Sequence, residues 1–406
     1  GNKRMKPSPP QEIGAASSSA TSAVVASPTP SSSSSSGGGE TKSSTAAGGA
    51  SSGDVGWRRP QRPHLRPSHD TLAFQIVDID MCDGRPLKEN PAKDPITGIP
   101  KQRPGMTNPS ATVPILRIFG VTDAGNSCVA HVHGFTPYFI CDAPPNYNPN
   151  APAHSEMFRA ALDQAVREQT RGNNNKGAHF VLDVDTLHKR SLVGFTPGAE
   201  TSHFLKISVA MPKNVPTARR VLERGFSFNG RRHEYLTYES NIPFVLRFMV
   251  DKDITGCCWV QLPAGTYSLR GDGLGPPGAS GGGGATNIRK ASRMQIEADI
   301  YHNELVAHES VGRWMGIAPI RILSFDIECQ GRKGHFPEAE KDPVIQIASI
   351  VSVQGESSPR LKTIHVLGTC TDIVGATVHS YDDERELLKA WAKFLVQTDF
   401  DVITGY

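Results

Sequence analysis

Ile320-Arg-Ile-Leu-Ser-Phe-Asp-Ile-Glu328 is the stretch on which the fold of this 406-residue chain turns. It is almost continuously apolar up to its polar end and reads as a strand. Two further strands follow: Val344-Ile-Gln-Ile-Ala-Ser-Ile-Val-Ser-Val353, opened by Asp342-Pro343, and Leu361-Lys-Thr-Ile-His-Val366. Ser380-x-x-Asp383 reads as a capping box heading a helix with Leu387, Leu388, Trp391, Phe394 and Leu395 on one face. Asp401-Val-Ile-Thr-Gly-Tyr406 begins a fourth strand. Three antiparallel strands, a crossover helix and a strand parallel to the first make an α/β layer of ribonuclease-H-like form.

That strand carries Asp326 and Glu328. Strand positions two apart share a face and lie about 6.5–7 Å apart. The pair sits at the carboxyl end of the strand, where α/β sheets open a ligand crevice. Phosphoryl chemistry with two metals needs such hard oxygen ligands, which hold the ions about 3.5–4 Å apart. Asp-x-Glu alone is weak: in a chain of ordinary composition it arises by chance about once. Asp382-Asp383-Glu384 is such a match, better read as favourable charge at a helix N-terminus. Asp78/Asp80, Asp183/Asp185 and Asp251/Asp253 read as solvated strand ends or turns. The apolar strand is what sets Asp326 and Glu328 apart.

Upstream, from Leu72, the sequence changes to strand patterns, with Pro114-Ile-Leu-Arg-Ile-Phe, Cys128-Val-Ala-His-Val-His and Tyr138-Phe-Ile among them. Met157, Ala161, Leu162, Ala165 and Val166 at 3.6-residue spacing predict a helix with Ser155 as N-cap. Further strands are predicted at 179–184, 203–211, 244–250 and 257–262. A short helix is expected over 215–225, ended by its Gly, and a partly helical stretch over 288–305. Residues 70–315 thus form α+β structure rich in antiparallel sheet. Residues 271–285 read as a flexible insertion, and Gly281–Gly284 lacks the Lys-Ser/Thr of a phosphate loop. Residues 14–53 are all Gly, Ala, Ser, Thr or Pro except Val24, Val25, Glu40 and Lys42, which predicts a disordered tail. The basic, proline-rich Trp57-Arg-Arg-Pro-Gln-Arg-Pro that follows is expected to lie extended along the folded body.

Several classes drop out. Lys+Arg 43 against Asp+Glu 40 leaves +3, too little to argue for nucleic acid or membrane on charge alone. No apolar run approaches the roughly 18 residues of a membrane-spanning helix, and the first residues lead into no secretory signal. The seven cysteines show no Cys-x-x-Cys spacing and read as small core residues in a reducing interior. Lys3-Arg4-x-Lys6 reads equally as a nuclear-import remnant or as a solubilising end. His131 and His133 face the same way in a strand but lack a third ligand nearby in sequence, so sheet residues are favoured over a metal site. Arg332 and Lys333 are candidates to steer phosphates, or else solvated loop charges. Tyr235, Tyr238, Phe244 and Phe248 read as core aromatics rather than a stacking surface.

Phe325-Asp-Ile-Glu-Cys-Gln-Gly-Arg-Lys-Gly-His and Lys341-Asp-Pro-Val-Ile-Gln-Ile resemble the first proofreading motif of family B DNA polymerases, in the form found in a replicative eukaryotic member. Arg247-Phe-Met-Val-Asp-Lys-Asp-Ile-Thr-Gly-Cys-Cys-Trp, Leu262-Pro-Ala-Gly-Thr-Tyr and His133-Gly-Phe-Thr-Pro-Tyr-Phe resemble the N-terminal domain of that family. The resemblance covers residues 54–406. After the low-complexity tail of residues 1–56, whose composition predicts disorder, it implies a polymerase N-terminal domain over 57–315 and a partial 3′→5′ exonuclease domain over 316–406 that stops within its second motif, whose opening Asp401-Val-Ile-Thr-Gly-Tyr matches. It implies that Asp326 and Glu328 are catalytic and bind Mg²⁺ in a two-metal site, and that an iron–sulfur or zinc cluster belongs only to a C-terminal region outside this chain. Primer–template DNA, a single-stranded 3′ end, accessory subunits and a sliding clamp are the implied partners, and the nucleus the implied location. With half the implied metal ligands beyond Tyr406, this chain alone is expected neither to polymerise nor to proofread. A non-catalytic DNA-binding or scaffold fragment is the competing reading, and a stand-alone exonuclease the third.

Overall fold

The computed structural model describes residues 58–87, 112–145, 147–170, 179–190, 201–271 and 286–405. The chain divides into Gly1–Gly53 and Asp54–Tyr406, and every described residue belongs to the second unit. The expected tail, and all of the expected flexible insertion but Gly271, lie outside the described residues.

Alternating apolar residues build β1 (Leu72–Gly84), β2 (Val113–Val121) and β3 (Ser127–His133), an antiparallel meander. The chain then leaves for a second module. In order these elements are β4 (Tyr138–Asp142), α1 (Pro152–Gln169), β5 (Val181–Lys189), β6 (Ser202–Val209), α2 (Val215–Glu223), a hairpin of β7 (Phe226–Phe228) and β8 (Arg231–His233), and β9 (Thr237–Tyr238). The sheet order β5-β6-β4-β9, antiparallel throughout, is that of two split βαβ units, a ferredoxin-like arrangement. Both helices cover one face, over a core that includes Phe139, Phe158, Leu162, Leu205 and Leu222. Helix α1 starts at Pro152 after an Ala151 N-cap that makes no side-chain bond. Ser155, expected as the cap, lies inside the first turn, where its hydroxyl bonds Tyr147 Oη at 2.6 Å.

Residues 244–250, expected as a strand, form helix α3 (Phe244–Asp251). Their aromatic and β-branched content suits a strand, but packing decides otherwise. Phe244 and Phe248, one helical turn apart, both meet the Phe135 ring, at 5.5 and 5.2 Å. The chain then returns to the first sheet with β10 (Trp259–Leu262), β11 (Tyr267–Gly271), β12 (Thr286–Arg289), β13 (Ile296–Tyr301) and β14 (Val306–His308). Its order is β12-β11-β13-β3-β2-β1-β10-β14. The partly helical expectation for 288–305 is therefore corrected to two strands. Ile296, Ala298 and Ile300 enter the core, while Glu297 and Asp299 take the other face, a period of two.

The last segment gives β15 (Arg321–Cys329), β16 (Val344–Val353), β17 (Leu361–Leu367), β18 (Thr377–Tyr381), α4 (Glu384–Thr398) and β19 (Val402–Gly405), in sheet order β18-β17-β16-β15-β19. The three antiparallel strands, the crossover helix and a β19 parallel to β15 match expectation. Strand β18 is additional and takes up Ser380, so the expected capping box does not form. Asp383 caps α4 instead, accepting Arg385 N–H at 2.8 Å. Leu387 is fully buried, Trp391 donates to Ser349 Oγ at 3.1 Å and packs on Phe325, and Phe394 packs on His365. Leu388 turns away and is exposed.

Candidate active site

Because α4 covers the face of β15 that carries Leu323 and Phe325, the alternate residues Ser324, Asp326 and Glu328 lie on the opposite, exposed face. Asp326 stands opposite Ala348 and Glu328 opposite Gln346, so no bulky neighbour on β16 crowds the carboxylates. Asp326 Oδ1 accepts the Ile327 N–H at 3.1 Å. A register shift between Glu328 and Cys329 ends the regular pairing just beyond the pair. The structure thus brings the two predicted residues together on one open surface.

Arg332 and Lys333 lie in the loop that follows. Arg332 donates Nε to Asp342 Oδ1 at 2.9 Å, and Nη2 to Asp342 Oδ2 at 3.1 Å and Glu338 Oε1 at 2.9 Å. Asp342 also accepts Glu338 N–H at 2.8 Å. Arg332 and this backbone bond hold the Asp342 carboxyl below its ordinary value. The guanidinium fork is therefore spent on closing the 332–342 loop beside the carboxylates. Lys333 is exposed.

The remaining acidic candidates are engaged elsewhere. Asp80 pairs with Arg117 across β1 and β2, and Asp251 accepts Tyr138 Oη–H at 2.7 Å. Asp183 and Asp185 line a cleft with Lys206, and burial, then Asp183, pushes the Asp185 carboxyl up. His131 and His133 are buried sheet residues. Their Nε2 atoms meet Glu297 Oε1 at 2.7 Å and Asp299 Oδ1 at 2.8 Å, while Arg270 donates to both carboxylates. Burial lowers the His133 pKa against the pull of Asp299. Burial raises Glu297, but His131, Ala291 N–H and Ser292 outweigh it and hold the carboxyl at about 2. With Arg270 supplying the counter-charge, the group needs no metal. Among the described residues no set of three or more His, Cys, Asp or Glu is arranged to hold one. Tyr235 and Phe248 are core residues, as the sequence predicts.

Sequence reasoning missed one assembly. Arg59, in the extended basic segment, is nearly inaccessible to solvent. It donates Nε to Asp399 Oδ2 at 2.7 Å, Nη2 to Asp399 O at 2.8 Å and to Asp401 Oδ1 at 2.5 Å, and Nη1 to Gly125 O at 3.2 Å. Asp401 Oδ2 in turn accepts Arg321 N–H at 2.9 Å. Asp401 precedes β19 and Arg321 opens β15, so this clasp ties the starts of the parallel pair β15 and β19, the edge strand and its neighbour, to the N-terminal segment. The only signal was the basic run itself; nothing in the spacing links Arg59 to carboxylates 340 residues away.

The comparisons with known proteins bear on this arrangement. Residues 235–406 match the family described as DNA polymerase family B, exonuclease domain. Residues 134–216 match the N-terminal domain of DNA polymerase delta catalytic subunit-like proteins, and residues 72–133 the N-terminal region of the DNA polymerase zeta catalytic subunit. The chain belongs to the family B DNA polymerases. Its relatives include the DNA polymerase delta catalytic subunits of Bos taurus, 41% identical over 87% of this chain, and of Drosophila melanogaster, 38% identical over 86%. The chain spans 29% of the length of each. A family B polymerase structure from Pyrobaculum calidifontis aligns at 19% identity over 82% of this chain and 30% of its own, with a TM-score of 0.47.

Proposed function

We propose that this chain is the N-terminal part of a replicative, delta-type DNA polymerase catalytic subunit that acts in the nucleus, and that Asp326 and Glu328 are half of its proofreading exonuclease centre. The observation that carries the reading is the pair itself: two exposed carboxylates on one face at the end of β15, with small or flexible neighbours. Oxygen-only donors of this kind suit a hard divalent cation such as Mg²⁺. Asp326 and Glu328 would hold it. When bound, it would activate water and neutralise the leaving oxyanion of a terminal phosphodiester. The chain's own residues set the stage. The β15–β16 pairing fixes the spacing of the carboxylates, and the Arg332–Asp342 closure holds the adjoining loop in place. Primer–template DNA is the substrate under this reading, with accessory subunits and a sliding clamp as partners of the whole protein.

The test uses the full-length polymerase. Asp326→Ala with Glu328→Ala is expected to cut removal of a mispaired 3′ nucleotide by at least 100-fold while primer extension continues. Unchanged removal would refute the assignment. The 406-residue chain itself is expected to release no nucleotide from single-stranded DNA in Mg²⁺. The same pair of variants should weaken Mn²⁺ binding to this chain, read by electron paramagnetic resonance.

A further inference from the structure

Residues 213–234 hold six Lys or Arg against two Glu, in a chain whose net charge is only +3. They form α2 and the β7–β8 hairpin. One of the acids, Glu223, is engaged by Thr237 Oγ1 at 2.6 Å and by Arg219 at 3.5 Å. Arg220, Arg224, Arg231 and Arg232 are exposed. Between the hairpin and α1 lies a groove of about 590 Å³, lined by Arg224 and Arg232 on one side and by Gln164, Glu168 and Gln169 of α1 on the other, with Ala161 and Ala165 also lining it; Gln164 Nε2 donates to Glu168 Oε1 at 3.2 Å. That volume lies within the range of small-ligand pockets.

Arg232 is held in place. Arg232 Nη2 donates to the Arg224 carbonyl at 2.7 Å, at the C-terminus of α2, which uses one of the five N–H donors of its guanidinium. Gly225, at φ +92°, makes this approach possible: a Cβ there would meet Arg232 Nε at 2.9 Å. Asn229 and Gly230, at φ 49° and 74°, form the tight hairpin turn that precedes Arg231. The opposite face of this module is partly occupied. The Tyr138 ring has Lys206 at 4.3 Å and Arg247 at 4.9 Å, and its hydroxyl is bound to Asp251.

We propose that the groove between α1 and the β7–β8 hairpin binds single-stranded nucleic acid. Arg224 and Arg232, with Arg220 and Arg231 beside them, hold backbone phosphates. An unpaired base enters the groove beside Ala161 and Ala165, where the Gln169 amide and the amide oxygen of Gln164, whose Nε2 is turned to Glu168, meet its edge. Paired bases of a duplex are not free to enter. The site is separate from the β15 carboxylates and does not rest on their assignment.

Fluorescence anisotropy of a labelled oligo-dT with the 406-residue chain, in EDTA, tests this without any metal-dependent step. Arg220→Glu with Arg224→Glu should weaken binding at least tenfold. Two lost phosphate contacts should also flatten the plot of log Kd against log salt by about 1.4, at about 0.7 per contact on a single strand. Arg385→Glu with Lys389→Glu, an equal charge change on exposed sites of α4, should shift binding less than twofold. Gln164→Ala with Gln169→Ala, which leaves the charges in place, should weaken oligo-dT more than an abasic oligonucleotide. Parent-like binding by the Arg220/Arg224 variant overturns the proposal. So does an equal loss in the α4 control, tighter binding of duplex than of single strand, or equal effects of the glutamine variant on both oligonucleotides.

Discussion

Arg59→Ala tests the clasp between the N-terminal segment and the β15–β19 pair. Asp401 keeps only about 5% of its side chain exposed, whereas Asp399 is more than half exposed, so the cost falls on Asp401. Removing one partner of a buried ion pair costs about 3–5 kcal/mol, because the other charge is left uncompensated. Protonation limits that cost. Neutralising a carboxyl of ordinary value 3.8 at pH 7 takes about 4.4 kcal/mol, at 1.36 kcal/mol per pH unit, but only about 1.6 kcal/mol at pH 5. Burial already pushes the Asp401 carboxyl up in the presence of Arg59, so the acid form is within reach. Urea unfolding should therefore show Arg59→Ala destabilised by about 3–4 kcal/mol at pH 7 and by less than about 2 kcal/mol at pH 5. Adding Asp401→Asn should restore much of the loss at pH 7, because an amide oxygen still accepts Arg321 N–H. A loss below about 1 kcal/mol at pH 7, or one that does not shrink at pH 5, refutes the reasoning.

Gly405→Ala, at the exposed end of edge strand β19, should destabilise the chain by about 1 kcal/mol, because the Phe325 ring must shift to admit the new methyl group. Its Cβ would stand 2.4–2.7 Å from the Phe325 ring, which is backed by Trp391, and hydrogen exchange should localise the loss to β15 and β19. Glu297 has its folded pKa depressed from 4.5 to about 2, so its contribution is complete above about pH 4.5 and disappears as pH falls towards 2. Glu297→Gln should be less stable than the parent at pH 7, with the difference narrowing across that window in a pH series of melting temperatures. Burial and His379 hold His365 at about 4, below the 6.5 of the unfolded chain. Unfolding then takes up a proton, and stability should fall as pH drops from 6.5 to 4. His365→Phe, which keeps a ring against Tyr381, should flatten that decline.

Where one physical signal dominated, the sequence was readable. The near-continuous apolar run of β15 announced a strand, and the i, i+4 spacing of Leu387, Trp391 and Leu395 announced the helix that covers it. Asp326 and Glu328 followed from the two-residue repeat of a strand. The misreadings came where local preference yielded to packing. Phe244-Val-Leu-Arg-Phe-Met-Val has strand composition but coils so that two phenylalanines reach Phe135. Ile296-Glu-Ala-Asp-Ile-Tyr alternates plainly, yet its two acids disguised a buried strand, because their partners Arg270, His131 and His133 come from distant segments. Ser380 has the right spacing for a cap, but β18 claims it for the sheet edge and the role passes to Asp383. Arg59 shows the same limit in its plainest form: a bond spanning 340 positions leaves no trace in local pattern.

The Arg270–Glu297–Asp299 cluster with its two histidines has a consequence for descent. Two anions and one permanent cation share a buried interior, so replacing any single member strands a charge or a donor among its neighbours. Viable change here must arrive as coordinated exchanges, and lineages that keep this sheet should inherit the five positions as a block.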